Sequence, residues 1–254
     1  MSNSVAIVTG GSSGIGQAIS VVLAKEGYQI VVVGRKTQQI EETLALLPSP
    51  ESHLGLSLDV TQEEDMEKMA QETIARFGQI DVLIASAGVG KSGNSERYTP
   101  YPTVNLPLKE WDTVLNVNLR GVFLSNRAVI PQMSHQKSGQ IINICSSTTP
   151  QGLRGEPYAP AYCASKFGVM GLTEALAEEV APQGIRVQAL FPGMVRTPLV
   201  AKTAIARRYG GSISAEEFAT AVLYLVKEPR DAVTIHPHVL PLASLHQSHL
   251  GKKS

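Results

Sequence analysis

Short apolar segments rich in β-branched residues alternate along the chain with longer segments whose apolar residues recur at helical spacing. Runs of Val and Ile bounded by Gly, Pro or polar residues are typical of strands. The run Ile-Val-Val-Val within residues 29–33 is uninterrupted, which indicates burial on both faces of a sheet. The predicted strands cover residues 5–8, 29–33, 54–58, 81–85, 140–145, 184–191 and 232–236.

The amphipathic segments between these strands predict helices at residues 14–26, 37–47, 61–77, 108–133, 161–181 and 215–226. Thr61 and Glu64 have the spacing of a capping box at the start of the third helix, and Gly78 follows its end. Repeated strand–helix units predict an α/β fold, a Rossmann-type doubly wound parallel β-sheet of about seven strands flanked by helices on both faces. No linker or break in composition divides the chain, so we expect a single domain over residues 1–254. Residues 91–107 are polar and proline-rich, and they predict an irregular surface loop.

Charge and composition exclude several classes of protein. The chain has 22 Lys and Arg against 22 Asp and Glu, a formal net charge of zero, which disfavours a nucleic-acid or acidic-membrane surface. Cys145 and Cys163 are the only cysteines and lack zinc-site spacing, so we expect a reduced, cytoplasmic setting. No apolar run approaches the length of a membrane span, and the start of the chain lacks the pattern of a signal peptide.

A glycine-rich turn connects the first predicted strand to the first predicted helix. It reads Thr-Gly-Gly-Ser-Ser-Gly-Ile-Gly over residues 9–16. Glycines permit a tight turn and a close backbone approach, and a helix N-terminus offers free N–H groups to a pyrophosphate. The alternative interpretation is a turn that only links a strand to a helix. The position in the first strand–helix connection favours a dinucleotide site.

Tyr162 and Lys166 lie four residues apart in a predicted helix, so their side chains share one face. A phenol has an ordinary pKa of about 10, and a neighbouring cation lowers that pKa. Such a tyrosine could exchange a proton with an alcohol or a carbonyl at working pH. The spacing alone fits a pair on a helix surface equally well.

Together these motifs resemble the short-chain dehydrogenase/reductase family, whose members carry Thr-Gly-x-x-x-Gly-x-Gly in the first turn and Tyr-x-x-x-Lys further on. The resemblance extends from about residue 4 to about residue 200. It implies hydride transfer between a nicotinamide and a substrate carbonyl carbon, with Ser147 donating a hydrogen bond to the carbonyl oxygen and Tyr162 delivering the proton. In this family pattern Lys166 lowers the Tyr162 pKa and holds the nicotinamide ribose, and Asn118 positions a water that links Lys166 to solvent.

The resemblance also implies the cofactor contacts. Ser86 departs from the asparagine usual in the family, and Ser147 stands fifteen residues before Tyr162, slightly further than usual, which implies a short insertion within residues 151–160. The predicted cofactor-binding residues are Gly10, Ser12, Ser13, Gly14, Ile15, Gly16, Arg35, Lys36, Asp59, Val60, Ser86, Ala87, Gly88, Tyr162, Lys166, Pro192, Gly193, Val195 and Thr197.

The end of the second predicted strand bears on the choice of cofactor. An acidic residue there would bind the ribose hydroxyls of NAD and repel a 2′-phosphate. This chain has Arg35 and Lys36 instead, and cations suit the 2′-phosphate of NADP. A solvated basic pair at a helix start is the alternative. We expect NADP(H) to be preferred over NAD(H).

These observations predict an NADP-dependent oxidoreductase that uses Tyr162 as general acid/base. It would be either a ketone/aldehyde reductase or an alcohol dehydrogenase. The alternatives are a catalytically silent NADP-binding regulatory or scaffold protein of the same fold and, less favoured by length and glycine spacing, a sugar-nucleotide epimerase or dehydratase. The expected partners are a small carbonyl or alcohol substrate and further copies of the chain in a tetramer or dimer, with no nucleic acid and no membrane. The substrate should lie between residues 91–107, 151–160 and 198–212, where Arg154, Glu156 and Tyr158 could touch it.

Histidines cluster near the C-terminus, at positions 236, 238, 246 and 249. The spacing of His236 and His238 on a strand would place both imidazoles on one face, as a metal site requires. No carboxylate or thiol lies near them in the sequence, so surface histidines are the favoured interpretation and no metal is expected.

Overall fold

The computed structural model describes residues 4–90, 102–148, 152–197, 211–229 and 231–242. The strands in these residues are β1 (Val5–Thr9), β2 (Gln29–Gly34), β3 (Leu54–Ser57), β4 (Val82–Ala85), β5 (Gly139–Ile144), β6 (Ile185–Pro192) and β7 (His238–Val239). They form one sheet in the order β3-β2-β1-β4-β5-β6-β7, and all neighbouring pairs are parallel. The predicted doubly wound parallel sheet is confirmed.

The helices of the described residues are α1 (Gly14–Lys25), α2 (Thr37–Leu44), α3 (Glu63–Phe77), α4 (Leu108–Leu115), α5 (Gly121–Gln136), α6 (Pro160–Val180) and α7 (Ala215–Val226). Three-residue 3-10 turns cover Pro50–Ser52, Thr103–Asn105 and Ala181–Gln183. No helix in the described part of the chain is both long and apolar enough to cross a bilayer.

The sheet has an apolar core on each face, because alternate residues of a strand point in opposite directions. On one face, Val8 and Val32 pack with Leu23 of α1 and Phe218 of α7. On the other face, residues such as Ile7 belong to a cluster supplied by α3, α5 and the end of α6. Because an apolar cluster covers each face, the central strands are apolar throughout.

The predicted helix over residues 108–133 is interrupted. A π-helical segment, Asn116–Arg120, separates α4 from α5. A π turn accommodates one extra residue and changes the direction in which side chains point, and such segments often occur at functional sites. Asn118, at the centre of the segment, is completely buried.

The capping box predicted at Thr61 and Glu64 is wrong. The N-cap of α3 is Gln62, and it makes no side-chain capping bond. The Thr61 N–H instead donates to Oδ1 of Asp59 at 2.9 Å, so Thr61 belongs to an aspartate turn that precedes the helix.

The seventh strand lies later than the predicted residues 232–236. His236 has a φ of 56°, in the left-handed region, which interrupts an extended chain there. Thr234 bonds to side chains and does not pair with the backbone of β6: its carbonyl accepts a hydrogen bond from Nε2 of Gln188 at 2.9 Å. Strand pairing begins after His236, where the Phe191 N–H donates to the Pro237 carbonyl at 2.9 Å. The other predicted elements end within three residues of the observed bounds.

Candidate active site

The predicted site residues collect at one edge of the sheet. Because all seven strands are parallel, the segments that follow β1, β4, β5 and β6 meet at the carboxyl edge. The glycine turn follows β1, Ser86 to Gly88 follow β4, Ser146 and Ser147 follow β5, and Pro192 to Thr197 lie at and after the end of β6.

The glycine turn needs its glycines for close backbone packing. A Cβ at Gly16 would lie 2.3 Å from the Gly10 carbonyl oxygen, and a Cβ at Gly10 would lie 2.8 Å from Cα of Ala87. Gly10 and Gly14 have positive φ angles of 65° and 53°. The N-cap of α1, Ser13, makes no side-chain capping bond, so the first-turn N–H groups are not occupied by that side chain. This arrangement fits a pyrophosphate at the helix N-terminus.

The segment after β4 is held by hydrogen bonds to Thr9, at the start of the glycine turn, and to Asn118 in the π-helical segment. Thr9 Oγ1 accepts hydrogen bonds from the Ser86 and Ala87 N–H groups at 3.2 and 3.3 Å. The Asn118 carboxamide accepts from the Val89 N–H at 2.8 Å and donates to the Val89 carbonyl at 3.1 Å. Asn118 and Thr9 therefore hold this segment, although Ser86 replaces the asparagine of the family.

The predicted adenosine end lies at the tips of β2 and β3. Arg35 and Lys36 are both exposed, and neither takes part in an ion pair within the described residues. Asp59 is half-buried. Val60 packs closely against Gly121, since a Cβ at Gly121 would lie only 2.8 Å from Cγ2 of Val60. The two cations are thus free to meet a phosphate from solvent.

The segment after β6 reaches back over the glycine turn. A Cβ at Gly14 would lie 3.5 Å from Cβ of Thr197, so the Thr197 side chain sits beside the phosphate end. Val195 pairs with Ile213, and the Pro192 carbonyl accepts from the Ser147 N–H at 2.8 Å. Residues 192–197 therefore connect the phosphate end to the serine pair.

Tyr162 and Lys166 lie on the first turns of α6, which faces the carboxyl edge. Nζ of Lys166 lies 5.8 Å from the centroid of the Tyr162 ring and donates to the Ile144 carbonyl at 3.0 Å. Only 6% of Lys166 is exposed. Burial lowers the pKa of this ammonium.

The two serines after β5 have different partners. The Ser146 side chain lies next to the Tyr162 phenol and lowers its pKa through a hydrogen bond. Oγ of Ser147 lies 2.9 Å from Nδ1 of His238 and 3.3 Å from the Phe191 carbonyl oxygen. The sequence predicted Ser147 as the catalytic serine and missed both Ser146 and His238; the adjacent Ser-Ser pair was the only signal for Ser146.

The pKa of Tyr162 differs from the sequence-based expectation. Desolvation by burial raises it to about 12, and the Ser146 hydrogen bond offsets only part of this effect. Cys145, Cys163 and Glu156 raise it further. The expected lowering by Lys166 is not found, because the ammonium is directed to a backbone carbonyl instead of the phenol oxygen.

Several predicted features lie outside the described residues. They include residues 91–101 of the predicted loop, residue 151, residues 198–210 of the predicted substrate region, and His246 and His249. Of the residues that could touch a substrate, Arg154 and Tyr158 are exposed and Glu156 is half-buried. In the described parts of the chain, no three His, Cys, Asp or Glu side chains come together as a metal site requires.

Comparison with known proteins agrees with this geometry. The chain belongs to the short chain dehydrogenase family, whose model matches residues 4–207. An uncharacterized oxidoreductase from Staphylococcus epidermidis is 34% identical over 237 residues, which cover 92% of this chain and 96% of the relative. The family resemblance inferred from the motifs is confirmed.

Solved structures share the whole fold. A 3-ketoacyl-(acyl-carrier-protein) reductase from Brucella melitensis complexed with NADH has a TM-score of 0.82 at 28% identity, over 93% of this chain and 96% of that one. An alcohol dehydrogenase from Thermococcus sibiricus complexed with 5-hydroxy-NADP has a TM-score of 0.81 at 26% identity, over 94% and 97%. The chain is thus an oxidoreductase-family protein with a nucleotide-cofactor fold.

Proposed function

We propose that this protein is an NADPH-dependent reductase of small ketones or aldehydes, with Tyr162 as the proton donor. The observation that carries the proposal is the placement of Tyr162, Lys166 and the serine pair at the same sheet edge as the glycine turn. A cytoplasmic setting, a single domain over residues 1–254 and a homo-oligomeric state remain parts of this proposal.

The proposed chemistry follows from the residues at the edge. A bound nicotinamide would supply hydride to the carbonyl carbon. The Ser146 side chain, which lies next to the Tyr162 phenol, would donate a hydrogen bond to the carbonyl oxygen, which gains negative charge as the carbonyl is reduced. The sequence prediction gave this role to Ser147, whose hydroxyl contacts His238 and the Phe191 carbonyl instead. Tyr162 would transfer its proton to that oxygen. The Tyr162 phenol is protonated at neutral pH, as a proton donor in carbonyl reduction must be.

The remaining residues would support this step. Lys166 would hold the ribose hydroxyls of the bound cofactor through its ammonium group. Asn118 holds Val89 by two hydrogen bonds, so it would fix the wall of the nicotinamide pocket as well as position a water. Ser146 would orient the phenol of Tyr162.

NADPH is the proposed cofactor because Arg35 and Lys36 are exposed at the tip of β2 with no acidic residue beside them in the sequence. The two solved relatives named above carry NADH in one case and an NADP derivative in the other, so the choice rests on this chain's own residues. Arg35→Asp should lower the ratio of kcat/KM for NADPH to kcat/KM for NADH by at least about tenfold, because one charged contact to the 2′-phosphate is lost.

The control for this experiment is Lys68→Asp, which makes the same change in charge at an exposed position of α3. It should leave the cofactor ratio unchanged. An NADH preference in the wild type, or an unchanged ratio in Arg35→Asp, would contradict the proposed NADPH specificity.

The test of the activity is NADPH oxidation with a panel of ketones, β-ketoesters, aldehydes, sugars and steroids. The wild type should turn over at least one of them. Tyr162→Phe should abolish turnover and leave the dissociation constant for NADPH nearly unchanged, because the phenyl ring keeps the packing. A catalytically silent scaffold would bind NADPH and oxidise none of the panel in either form.

A further inference from the structure

Residues 237–241, here called the β7 segment, pack against the end of β6. The Phe191 N–H donates to the Pro237 carbonyl at 2.9 Å, and the Gly193 N–H donates to the Val239 carbonyl at 2.8 Å. These two bonds accompany the parallel pairing of β6 with the two residues of β7. The β7 segment therefore satisfies the backbone donors of both Phe191 and Gly193.

Gly193 has no room for a side chain on the side that faces the β7 segment. A Cβ at Gly193 would lie 2.9 Å from Cδ of Pro241, 3.1 Å from Cδ2 of Leu240 and 3.3 Å from Cα of Leu240. Pro241 is buried and Leu240 is half-buried, so displacing them would expose apolar surface to water. The glycine that follows Pro192 is thus required by its packing against the β7 segment.

The His238 ring anchors the β7 segment to its neighbours. It stacks on Phe191, with ring centroids 4.6 Å apart and an interplanar angle of 19°, and its Nδ1 lies 2.9 Å from Oγ of Ser147. The Ser147 N–H in turn donates to the Pro192 carbonyl at 2.8 Å. Pro192 and Gly193 are therefore held between the segment after β5 and the β7 segment.

The second half of residues 192–197 has a different support. The Arg196 N–H donates to the Ile213 carbonyl at 2.9 Å, and the Ile213 N–H donates to the Met194 carbonyl at 3.0 Å. Residues 194–196 are thus fixed by the chain before α7. The β7 segment acts on the first half, where the chain leaves β6.

We propose that the β7 segment is a positioning element for the nicotinamide half of the cofactor: Leu240 and Pro241 hold Gly193 in the conformation that binds it. This inference rests on the proposed function, in which residues 192–197 belong to the cofactor site. A segment that is already held in place loses less conformational entropy when a ligand binds, so these contacts raise affinity without touching the ligand. The adenosine half would bind at the tips of β2 and β3, which β1, β4 and β5 separate from β6, and it should not depend on the β7 segment.

The first test compares two ligands, NADPH and adenosine 2′,5′-bisphosphate, which carries the adenosine half and lacks the nicotinamide. In Leu240→Ala the side-chain contact with Gly193 is lost, and the dissociation constant for NADPH should rise at least about fivefold. The dissociation constant for adenosine 2′,5′-bisphosphate should stay within about twofold of the wild type. Leu242→Ala is the matched control, because it makes the same change at a 76% exposed position, and it should leave both constants unchanged. Titration calorimetry measures all four values.

Gly193→Ala disturbs the same contact from the other side. Its methyl group would meet Leu240 and Pro241, so it should weaken NADPH binding at least as much as Leu240→Ala and spare adenosine 2′,5′-bisphosphate. Hydrogen exchange gives a measurement without ligand. The Gly193 amide, bonded to the Val239 carbonyl, should exchange faster in Leu240→Ala than in the wild type and no faster in Leu242→Ala.

An unchanged dissociation constant for NADPH in Leu240→Ala would overturn the inference. Equal losses of affinity for the two ligands in Leu240→Ala and Gly193→Ala would overturn it as well, because they would report a general loss of structure. A wild type that binds NADPH but reduces no carbonyl, together with a selective loss in both variants, would contradict the proposed reductase and support the role of the β7 segment. A wild type that does not bind NADPH would defeat both proposals.

Discussion

Lys166 carries the buried positive charge of the site, with one carbonyl acceptor, that of Ile144. Removing an ammonium from water costs free energy, which is why burial lowers its pKa below 10.5. The unfolded chain binds this proton more tightly than the native protein, so the charge lowers stability at neutral pH, and the penalty disappears as the pH rises toward 10.5. A residue that costs stability and lies beside the proposed proton donor is best explained by function.

We therefore expect Lys166→Met to separate stability from activity. Methionine fills a similar volume without charge, so the free energy of unfolding at pH 7 should be no lower than that of the wild type to within about 1 kcal/mol. NADPH-dependent turnover should fall by at least about a hundredfold, the typical contribution of acid–base catalysis. Urea denaturation and the reductase assay measure the two effects. A variant that loses several kcal/mol of stability would show that Lys166 is structural.

The raised pKa of Tyr162 gives a second prediction at the same scale. The native protein keeps this proton between pH 10 and about 12, where the unfolded chain releases it, so the stability that the proton confers is lost as the pH rises through that range. Without cofactor, the difference in tyrosinate absorbance between the wild type and Tyr162→Phe should titrate with a pKa of about 12. A difference titration below pH 10 would mean that the phenol is not desolvated as described.

Among the helices and strands, the apolar pattern alone predicted the six longer strands and the burial of residues 29–33 on both faces, because central parallel strands consist of continuous Val and Ile runs. It could not predict β7, since the strand is only two residues long and depends on pairing with Phe191 and Pro192. Helical periodicity likewise could not predict the π-helical segment at Asn118. Its position is explained by the contact of Asn118 with Val89, which belongs to a different element.

The same limit applies to the site. The sequence could place Tyr162 and Lys166 together, because a spacing of four residues within one helix puts both side chains on the same face. It could not decide which serine of the pair lies next to Tyr162, because that depends on how the chain turns after β5. The partner of Ser147 could not be predicted either, because His238 lies 91 residues away and has no motif that links it to the serine. Burial also reversed the expected direction of the Tyr162 pKa, a property of packing that sequence spacing does not contain.

The packing of α1 against the glycine turn can be tested with a pair of glycine substitutions in helices. Gly16→Ala places a methyl group 2.3 Å from the Gly10 carbonyl oxygen, so the turn must move, and NADPH affinity should fall by at least about a hundredfold. At Gly171 in α6 an added Cβ meets nothing within 4 Å. Gly171→Ala should bind NADPH as the wild type does and gain up to about 1 kcal/mol of stability. Equal NADPH affinities in the two variants would contradict the role given to the turn.

For the whole molecule, two exposed phenylalanines on neighbouring helices give the expected homo-oligomer a candidate contact. Phe123 on α5 and Phe167 on α6 are 41% and 42% exposed, and they lie on helices that pack against each other. Large apolar side chains on adjoining exposed faces are typical of interaction surfaces. The expected homo-oligomer would use these two helices.

Phe167→Glu should therefore weaken self-association at least tenfold, since it would bury a charge at the contact. Sedimentation velocity over a range of protein concentrations measures this effect. Leu46→Glu, at a 57% exposed position beyond the end of α2, is the matched control and should sediment as the wild type does. A monomeric wild type, or an unchanged assembly in Phe167→Glu, would contradict this interface.

The proposed reaction at this sheet edge is hydride reduction of a carbonyl with a proton from Tyr162. The most direct measurement uses NADPH deuterated at the transferred position of C4, the carbonyl panel, and mass spectrometry of the products. The wild type should give an alcohol with one deuterium on the former carbonyl carbon, and Tyr162→Phe should give none at comparable times although it binds NADPH. Deuterated alcohol formed equally fast by Tyr162→Phe, or no labelled product from the wild type with any of the carbonyls, would contradict the account.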